Sequence, residues 1–301
     1  MSFFAILLAL LIEQVRPLGP QNPIHSGLRV WSRWVSSNFD AGKPPHGWVA
    51  WVLAVLVLYA TLGFRQFSHH FTAIRDALEA GDETRARQFL ARWQRVDASE
   101  LPRSEIVRHV IEYSVLAAHR HVFGVLTWFS ILAAFGLGPA GAVLYRMAEF
   151  VVRYWRHRNR TQAQPASEAL QSAAARAWAA VDWLPARTTA IAFAVVGSFE
   201  DAIDSWRNHA ERFPDDNDGV ILAATAGAVN VRLGGEALRP VYTGPTTQPA
   251  GLTPEPPLDS ASTPGREAEV AHLRSIVGLV WRSVVLWMVL LALLTLANLL
   301  G

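Results

Sequence analysis

Three groups of side chains have the types and spacing to do chemistry. His109, Glu112, Leu116 and His119 are three, four and three residues apart, so on a helix two imidazoles and a carboxylate share one face and could converge on a metal ion. Metal-bound histidines ordinarily have a partner orienting the second ring nitrogen. None is visible here, so the spacing reads first as a polar helix face near a membrane surface, and no metal is assigned. Arg187 and Arg232 carry the planar donor fork that binds phosphate, although each also reads as an interfacial arginine snorkelling to water. Between Asn217 and Gly235 an Asn-x-Gly opens a run of alanine and glycine that closes on Arg232-Leu-Gly-Gly235. Such small side chains let a backbone approach another helix or a flat ligand, and glycines permit the left-handed turn that ends a helix. By itself the segment is equally a packing helix with a glycine cap.

The elements that must position these residues are membrane helices. Hydrophobic residues make up 51% of the chain and charged ones 17%, and several of the 12 tryptophans stand at the ends of apolar runs, as in interfacial belts. The expected fold is all-α, a polytopic integral membrane protein with amphipathic helices between its membrane segments. There is no cysteine, so disulfides and thiolate metal sites are excluded. The 27 basic residues are scattered among 25 acids, which gives no basic stripe and no reason to expect a nucleic-acid partner.

Five apolar runs are visible: Phe3–Ile12, Trp48–Leu62, Val122–Val152, Thr188–Phe199 and Ser283–Leu300. Only the last has the usual spanning length of about 18 to 20 residues without qualification. The first lacks the basic start and cleavage site of a signal peptide and reads as a retained anchor or an incompletely embedded helix. The third is broken at Phe135-Gly-Leu-Gly-Pro-Ala-Gly141, where proline lacks a donor and glycine gains little from helical order. Either a re-entrant hairpin or one span followed by an interfacial helix would accommodate the break. The arginines on both flanks favour the hairpin. Phe71, Ile74 and Leu78, then Phe89, Leu90 and Trp93, have helical spacing about Gly81-Asp82 and predict a helix-turn-helix. Residues 240 to 270 hold seven of the 17 prolines and read as a linker that tethers the last helix loosely. The expected divisions are 1–62, N-terminal membrane helices; 63–121, an amphipathic helical region; 122–239, the core with the broken helix and the Asn-x-Gly segment; 240–276, the linker; and 277–301, the last membrane helix.

Asn217, Gly219, Ala223, Ala224, Ala226, Gly227, Ala228, Val231, Leu233, Gly234 and Gly235 match, without a gap, a signature of the CobD/CbiB family, which the chain resembles. Asp182-Trp-Leu-Pro-Ala-Arg-Thr-Thr-Ala190 is similar to that family's N-W-I-P-A-R-L-T-A. Glu105-Ile-Val-Arg108 with Ile111-Glu112 is similar to its E-I-V-R-x-x-I-E, and Leu137-Gly-Pro-Ala-Gly141 with Tyr145-Arg146 to its G-G-x-P-G and Y-K. The likeness covers most of residues 71 to 240. It implies a multi-pass protein of the bacterial inner membrane acting late in cobalamin assembly, as an adenosylcobinamide-phosphate synthase that uses ATP and magnesium if active. It also implies a corrinoid ligand, the lipid bilayer and other cobalamin-assembly membrane proteins as partners. On this basis Asp97 and Glu112 are the expected catalytic carboxylates, and Arg187, Asn217, Gly219, Arg232, Gly234 and Gly235 the expected substrate-binding residues.

The departures lie in the first half. The pattern S-R-D-T becomes Arg95-Val-Asp97-Ala98, and Y-K-A-x-N-T-L-D becomes Tyr145-Arg-Met-Ala-Glu149-Phe-Val-Val152, so an Asn and an Asp are gone and a valine stands where an oxygen ligand is expected. These losses weigh against turnover. Asp182, Trp183, Pro185 and Arg187 also resemble the D-W-x-P-x-R of the AmpE proteins, membrane relatives with no established chemistry. Three expectations stand together: an enzyme of cobalamin assembly, an AmpE-like sensor or regulator, and a corrinoid-binding scaffold subunit.

Overall fold

A computed structural model describes residues 64–94, 96–135, 137–161, 168–238 and 260–300. The runs Phe3–Ile12 and Trp48–Leu62 lie outside them. The described residues are mainly helical and include no strand; an isolated bridge joins Val231 and Arg266.

The predicted helix-turn-helix forms as α1 (Phe64–Glu79) and α2 (Glu83–Gln94), turned by Gly81 at a φ of 78°. Its apolar faces meet: Ile74, Leu78, Ala86 and Leu90 are fully buried, and each Leu or Ile so buried contributes about 1.5–3 kcal/mol. Then follow α3 (Arg103–Ala118), a π-helical segment (His119–Phe123) and α4 (Gly124–Ala134), which run on as one rod. The apolar run breaks where the glycines and proline predict, and α5 (Gly138–Thr161) returns antiparallel to α4. The hairpin is tight because it is built on glycine. A Cβ on Gly141 would stand 2.1 Å from the Trp128 carbonyl oxygen, and one on Gly124 2.1 Å from the Tyr145 ring.

α6 (Glu168–Val196) contains Pro185, which cannot donate to the carbonyl of Val181 four residues earlier. The Trp128 indole N–H from α4 supplies the missing donor at 2.9 Å. α7 (Phe199–His209), a short 3-10 turn and α8 (Asp216–Val229) complete the core, and α9 (Val270–Leu300) closes the chain.

Three helical stretches are long and apolar enough to cross a membrane: Arg103–Ala134, Leu170–Val196 and Val270–Leu293. Run length alone credited only the last, and started it at Ser283. The other two were missed because Arg108, Glu112, Arg120 and Asp182 interrupt them in sequence, yet in the fold these charges are paired inside the protein. Apolar side chains face outward elsewhere. Trp281, Val285, Val289, Leu293 and Leu296 form an exposed stripe on α9, and Trp183, Leu184, Ile191 and Val195 another on α6, the pattern of helices that meet lipid.

The expected linker is partly folded. Residues 260 to 266 lie along the turn after α8, with Arg232 N donating to Arg266 O, Thr263 N to Leu233 O and Ser260 N to Gly235 O at 2.7, 2.7 and 3.0 Å. The last helix therefore starts at Val270 from an anchored segment. Backbone hydrogen bonding outweighs the loop composition there.

Candidate functional site

α8 lies antiparallel to α3 and the π segment, since Asp218 at its start meets Arg120 and Gly234 beyond its end meets Glu112. A polar cluster closes each end of this pairing.

The first cluster is built at the start of α8. Asp215 caps the helix, its carboxylate accepting from Asn217 N and Asp218 N at 3.1 and 3.2 Å, which satisfies two of the first-turn donors. The capped turn fixes Asn217, which is buried, and Asp218, which is partly exposed. Asn217 Nδ2 donates to Ala179 O at 2.9 Å, and its Oδ1 accepts from Arg187 Nη1 at 3.1 Å. Asp218 pairs with Arg120. Burial pushes the Asp218 carboxyl above its ordinary range, and the Arg120 charge opposes that rise.

Behind this surface is a fully buried group: His119, Tyr145 and Asp182 have no exposure. His119 Nε2 and Asp182 Oδ1 are 2.9 Å apart, and Tyr145 Oη donates to the same oxygen at 2.7 Å. His119 Nδ1 lies 2.9 Å from Thr189 Oγ1, whose own proton goes to Pro185 O at 2.8 Å. Asp182 Oδ1 is thus the shared partner of the imidazole and the phenol. Asp182 Oδ2 is buried with no hydrogen-bond partner among the described residues. The π segment makes the arrangement possible. Its extra residue rotates the helix so that both His119 and Arg120 are held by neighbouring helices, and such bulges recur at functional sites. Glu149, also buried, pairs with Arg146.

The second cluster is centred on Arg108, which is buried. It donates to Glu105 at 2.5 Å, to both oxygens of Glu112 at 3.0 and 3.1 Å, and to Glu236 O at 2.7 Å. Glu112 Oε1 also accepts from Gly234 N at 2.7 Å. His109 sits in this cluster, 2.9 Å from Arg108 Nη2.

The expected site residues thus separate. Arg187, Asn217 and Gly219 gather at the start of α8, and Glu112, Gly234 and Gly235 at its far end. Gly219 packs against the 3-10 turn, where a Cβ would lie 2.3 Å from Ala210 O. The left-handed residue that ends α8 is Asn230, at a φ of 52°; the positive φ of Gly234 and Gly235 shapes the turn that follows. Arg232 is exposed and joins residue 266 through its backbone. Asp97 is exposed and belongs to neither cluster. Its carboxylate accepts from Ser99 N at 3.0 Å and Ser99 Oγ at 2.7 Å, bonds that hold it below the ordinary aspartate range. His109 and His119 go to different clusters, and no three His, Cys, Asp or Glu residues among the described ones form a metal cage. Arg120 and Asp218 escaped the sequence reading. Their pairing spans 98 residues and depends on a bulge that helical periodicity does not register.

The sequence model described as CobD/Cbib protein matches residues 26–263. The cobalamin biosynthesis protein CobD of Stutzerimonas stutzeri is 30% identical over 243 residues, 81% of this chain and 73% of the relative. That of Chromobacterium violaceum is 32% identical over 236 residues, 78% and 68% of the two chains. Over a shorter stretch of 111 residues, 33% of this chain and 31% of the relative, the CobD of Mycobacterium tuberculosis is 40% identical. No solved structure matches the chain.

Proposed function

The chain belongs to the CobD/Cbib protein family, a family of cobalamin biosynthesis, and from that premise we propose that it acts at the late step in which an aminopropanol-phosphate-type amine is joined to a corrinoid carboxylate. The observation that carries the reading is the convergence of Arg120, Arg187, Asn217 and Asp218 on the first turn of α8, inside the best-matched signature. Arginine forks beside carboxylates suit a reaction whose substrates and intermediate are oxyanions, because the cations neutralise developing charge and the acids orient them. Magnesium carried with ATP takes most of its ligands from phosphate and water and needs only one or two protein carboxylates. Asp216 and Asp218, exposed and partly exposed on that turn, fit such a role. The proposed setting is the bacterial inner membrane, with three candidate spans among the described residues.

A second reading has its own support. Glu112 spends both oxygens on Arg108 and Gly234, and Asp97 stands apart in a solvated turn, so neither expected catalytic carboxylate is free at the α8 site. A corrinoid-binding scaffold or an AmpE-like regulator would keep the fold without the chemistry. Adenosylcobyric acid binding to the detergent-purified protein, followed by corrin absorbance in wild type, Asn217→Ala and Arg232→Ala, separates these readings. Saturable binding weakened by Asn217→Ala, with ATP-dependent amide formation, supports the enzyme. Binding without turnover supports the scaffold, and absence of binding at high ligand leaves the regulator.

A further inference from the structure

Arg187 is fixed on one edge of its guanidinium and open on the other. Nη1 donates to Trp183 O at 2.9 Å and to Asn217 Oδ1 at 3.1 Å, while the guanidinium carbon lies 4.2 Å above the Trp183 ring. Nε and Nη2 make no hydrogen bond among the described residues. Asp182 and Asp216 are the carboxylates whose charge reaches it, and neither bonds to it. An arginine held by two acceptors and a ring face has little rotamer freedom left to lose. The Nε–H and Nη2–H on its open edge are the parallel donor pair that matches two oxygens of a carboxylate or phosphate.

The surroundings narrow the ligand further. Trp183, whose ring carries the guanidinium, and Leu184, next to it on α6, are 53% and 39% exposed. A small hydrated anion gains nothing from that apolar surface, whereas a ligand with an apolar body and an oxyanion edge covers it and fills the fork together. Asn217 is the positioning residue. It is itself pinned by Ala179 O, so its Oδ1 sets the plane of the guanidinium.

We infer that the Nε/Nη2 edge of Arg187 seats the oxyanion, carboxylate or phosphate, of a ligand whose apolar body covers Trp183 and Leu184. The inference rests on the proposed function for the identity of that ligand alone, since the open fork follows from the contacts. A corrinoid carboxylate and a phospholipid headgroup share this chemistry.

The test uses the full chain in dodecyl maltoside, a detergent with neither carboxylate nor phosphate. Adenosylcobyric acid, inorganic phosphate and phosphatidic acid in mixed micelles are titrated calorimetrically against wild type, Arg187→Lys, Arg187→Gln and Asn217→Leu. Arg282→Gln, at an exposed arginine on α9, is the control. Arg187→Lys keeps the charge and loses the fork, so binding of the seated probe should weaken about tenfold or more. Asn217→Leu should give a smaller binding loss together with a lower melting temperature, because Ala179 O loses its donor, and Arg282→Gln should change neither. Corrinoid binding that is equal in wild type and both Arg187 variants, with no Arg187-dependent binding of phosphatidic acid, overturns the seat and leaves the proposed function standing. Arg187-dependent binding of phosphatidic acid alone keeps the seat and removes the corrinoid. If no probe binds in an Arg187-dependent way, the seat is wrong.

Discussion

Gly234 N donates to Glu112 Oε1 at 2.7 Å, a bond that fastens the turn after α8 to a helix 122 residues earlier in the chain. The same carboxylate neutralises Arg108, which is 4% exposed. Glu112→Ala would leave that guanidinium with Glu105 as its only carboxylate and Gly234 N without an acceptor. Removing one partner of a buried pair costs about 3–5 kcal/mol, and the surviving Glu105 contact brings the expectation to about 2–3 kcal/mol. Glu112→Gln keeps an oxygen for Gly234 and should lose less. Thermal unfolding of the two variants in detergent checks the order.

Trp128 and Pro185 form a second dependent pair. The indole N–H occupies the Val181 carbonyl that Pro185 leaves open. Trp128→Phe keeps most of the ring and removes only the donor, so the orphaned acceptor should cost about 1–3 kcal/mol. Adding Pro185→Ala restores a backbone donor, so the double variant should recover part of that loss in the same melting assay.

How much of this was legible in the sequence depends on which physical signal each feature leaves. The α1–α2 hairpin and the break at Phe135–Gly141 follow from local rules, apolar spacing and proline and glycine chemistry, and both form where those rules place them. Segment matching brought Arg187 and Asn217 into one list, and they are in contact. The membrane spans through α3–α4 and α6 were underread because hydropathy treats Arg108 or Asp182 as exposed charge, and only the tertiary partners reveal that they are not. The His119–Asp182–Tyr145 group was invisible for a related reason. Its members come from three helices, and a one-residue π insertion aims the first of them.

Gly219, expected as a substrate contact, is placed by the fold as a packing position. A methyl there would meet Ala210 O at 2.3 Å, against backbone that a rotamer change cannot move. Gly219→Ala should therefore lower stability by about 1–3 kcal/mol, the usual cost of overpacking. Folded material that remains should bind adenosylcobyric acid as wild type does. A selective loss of binding at unchanged melting temperature would instead make Gly219 a ligand contact.

Asp97 offers a contrast in exposure. Its partners are Ser99 N and Ser99 Oγ, so Asp97→Asn retains a neutral acceptor and should lower the melting temperature at neutral pH only slightly. Those bonds lower its folded value below the ordinary 3.8. A carboxylate depressed in this way stabilises the fold above its unfolded value, and the contribution is lost as pH falls through the folded one. The variant, which lacks the charge, should therefore differ from wild type by a small amount at neutral pH, and the difference should vanish below about pH 4. A neutral-pH loss of ATP-dependent turnover with unchanged melting would restore Asp97 to the chemistry.

The buried His119–Asp182 pair can be separated from ordinary packing by a double-mutant cycle. His119 Nε2 and Asp182 Oδ1 share a proton in a buried hydrogen bond of 2.9 Å that a single neutral replacement disturbs. Asp182→Asn removes the carboxylate's charge and leaves imidazole and amide to compete for donors. His119→Gln leaves a buried carboxylate with Tyr145 as its only hydrogen-bond donor. Each single variant should cost about 3–5 kcal/mol, as for a broken buried pair. The double variant, with two neutral amides able to bond one another, should cost less than the sum by about 1–3 kcal/mol. Strict additivity in detergent unfolding would mean that no proton is shared and that the two side chains are held by packing alone.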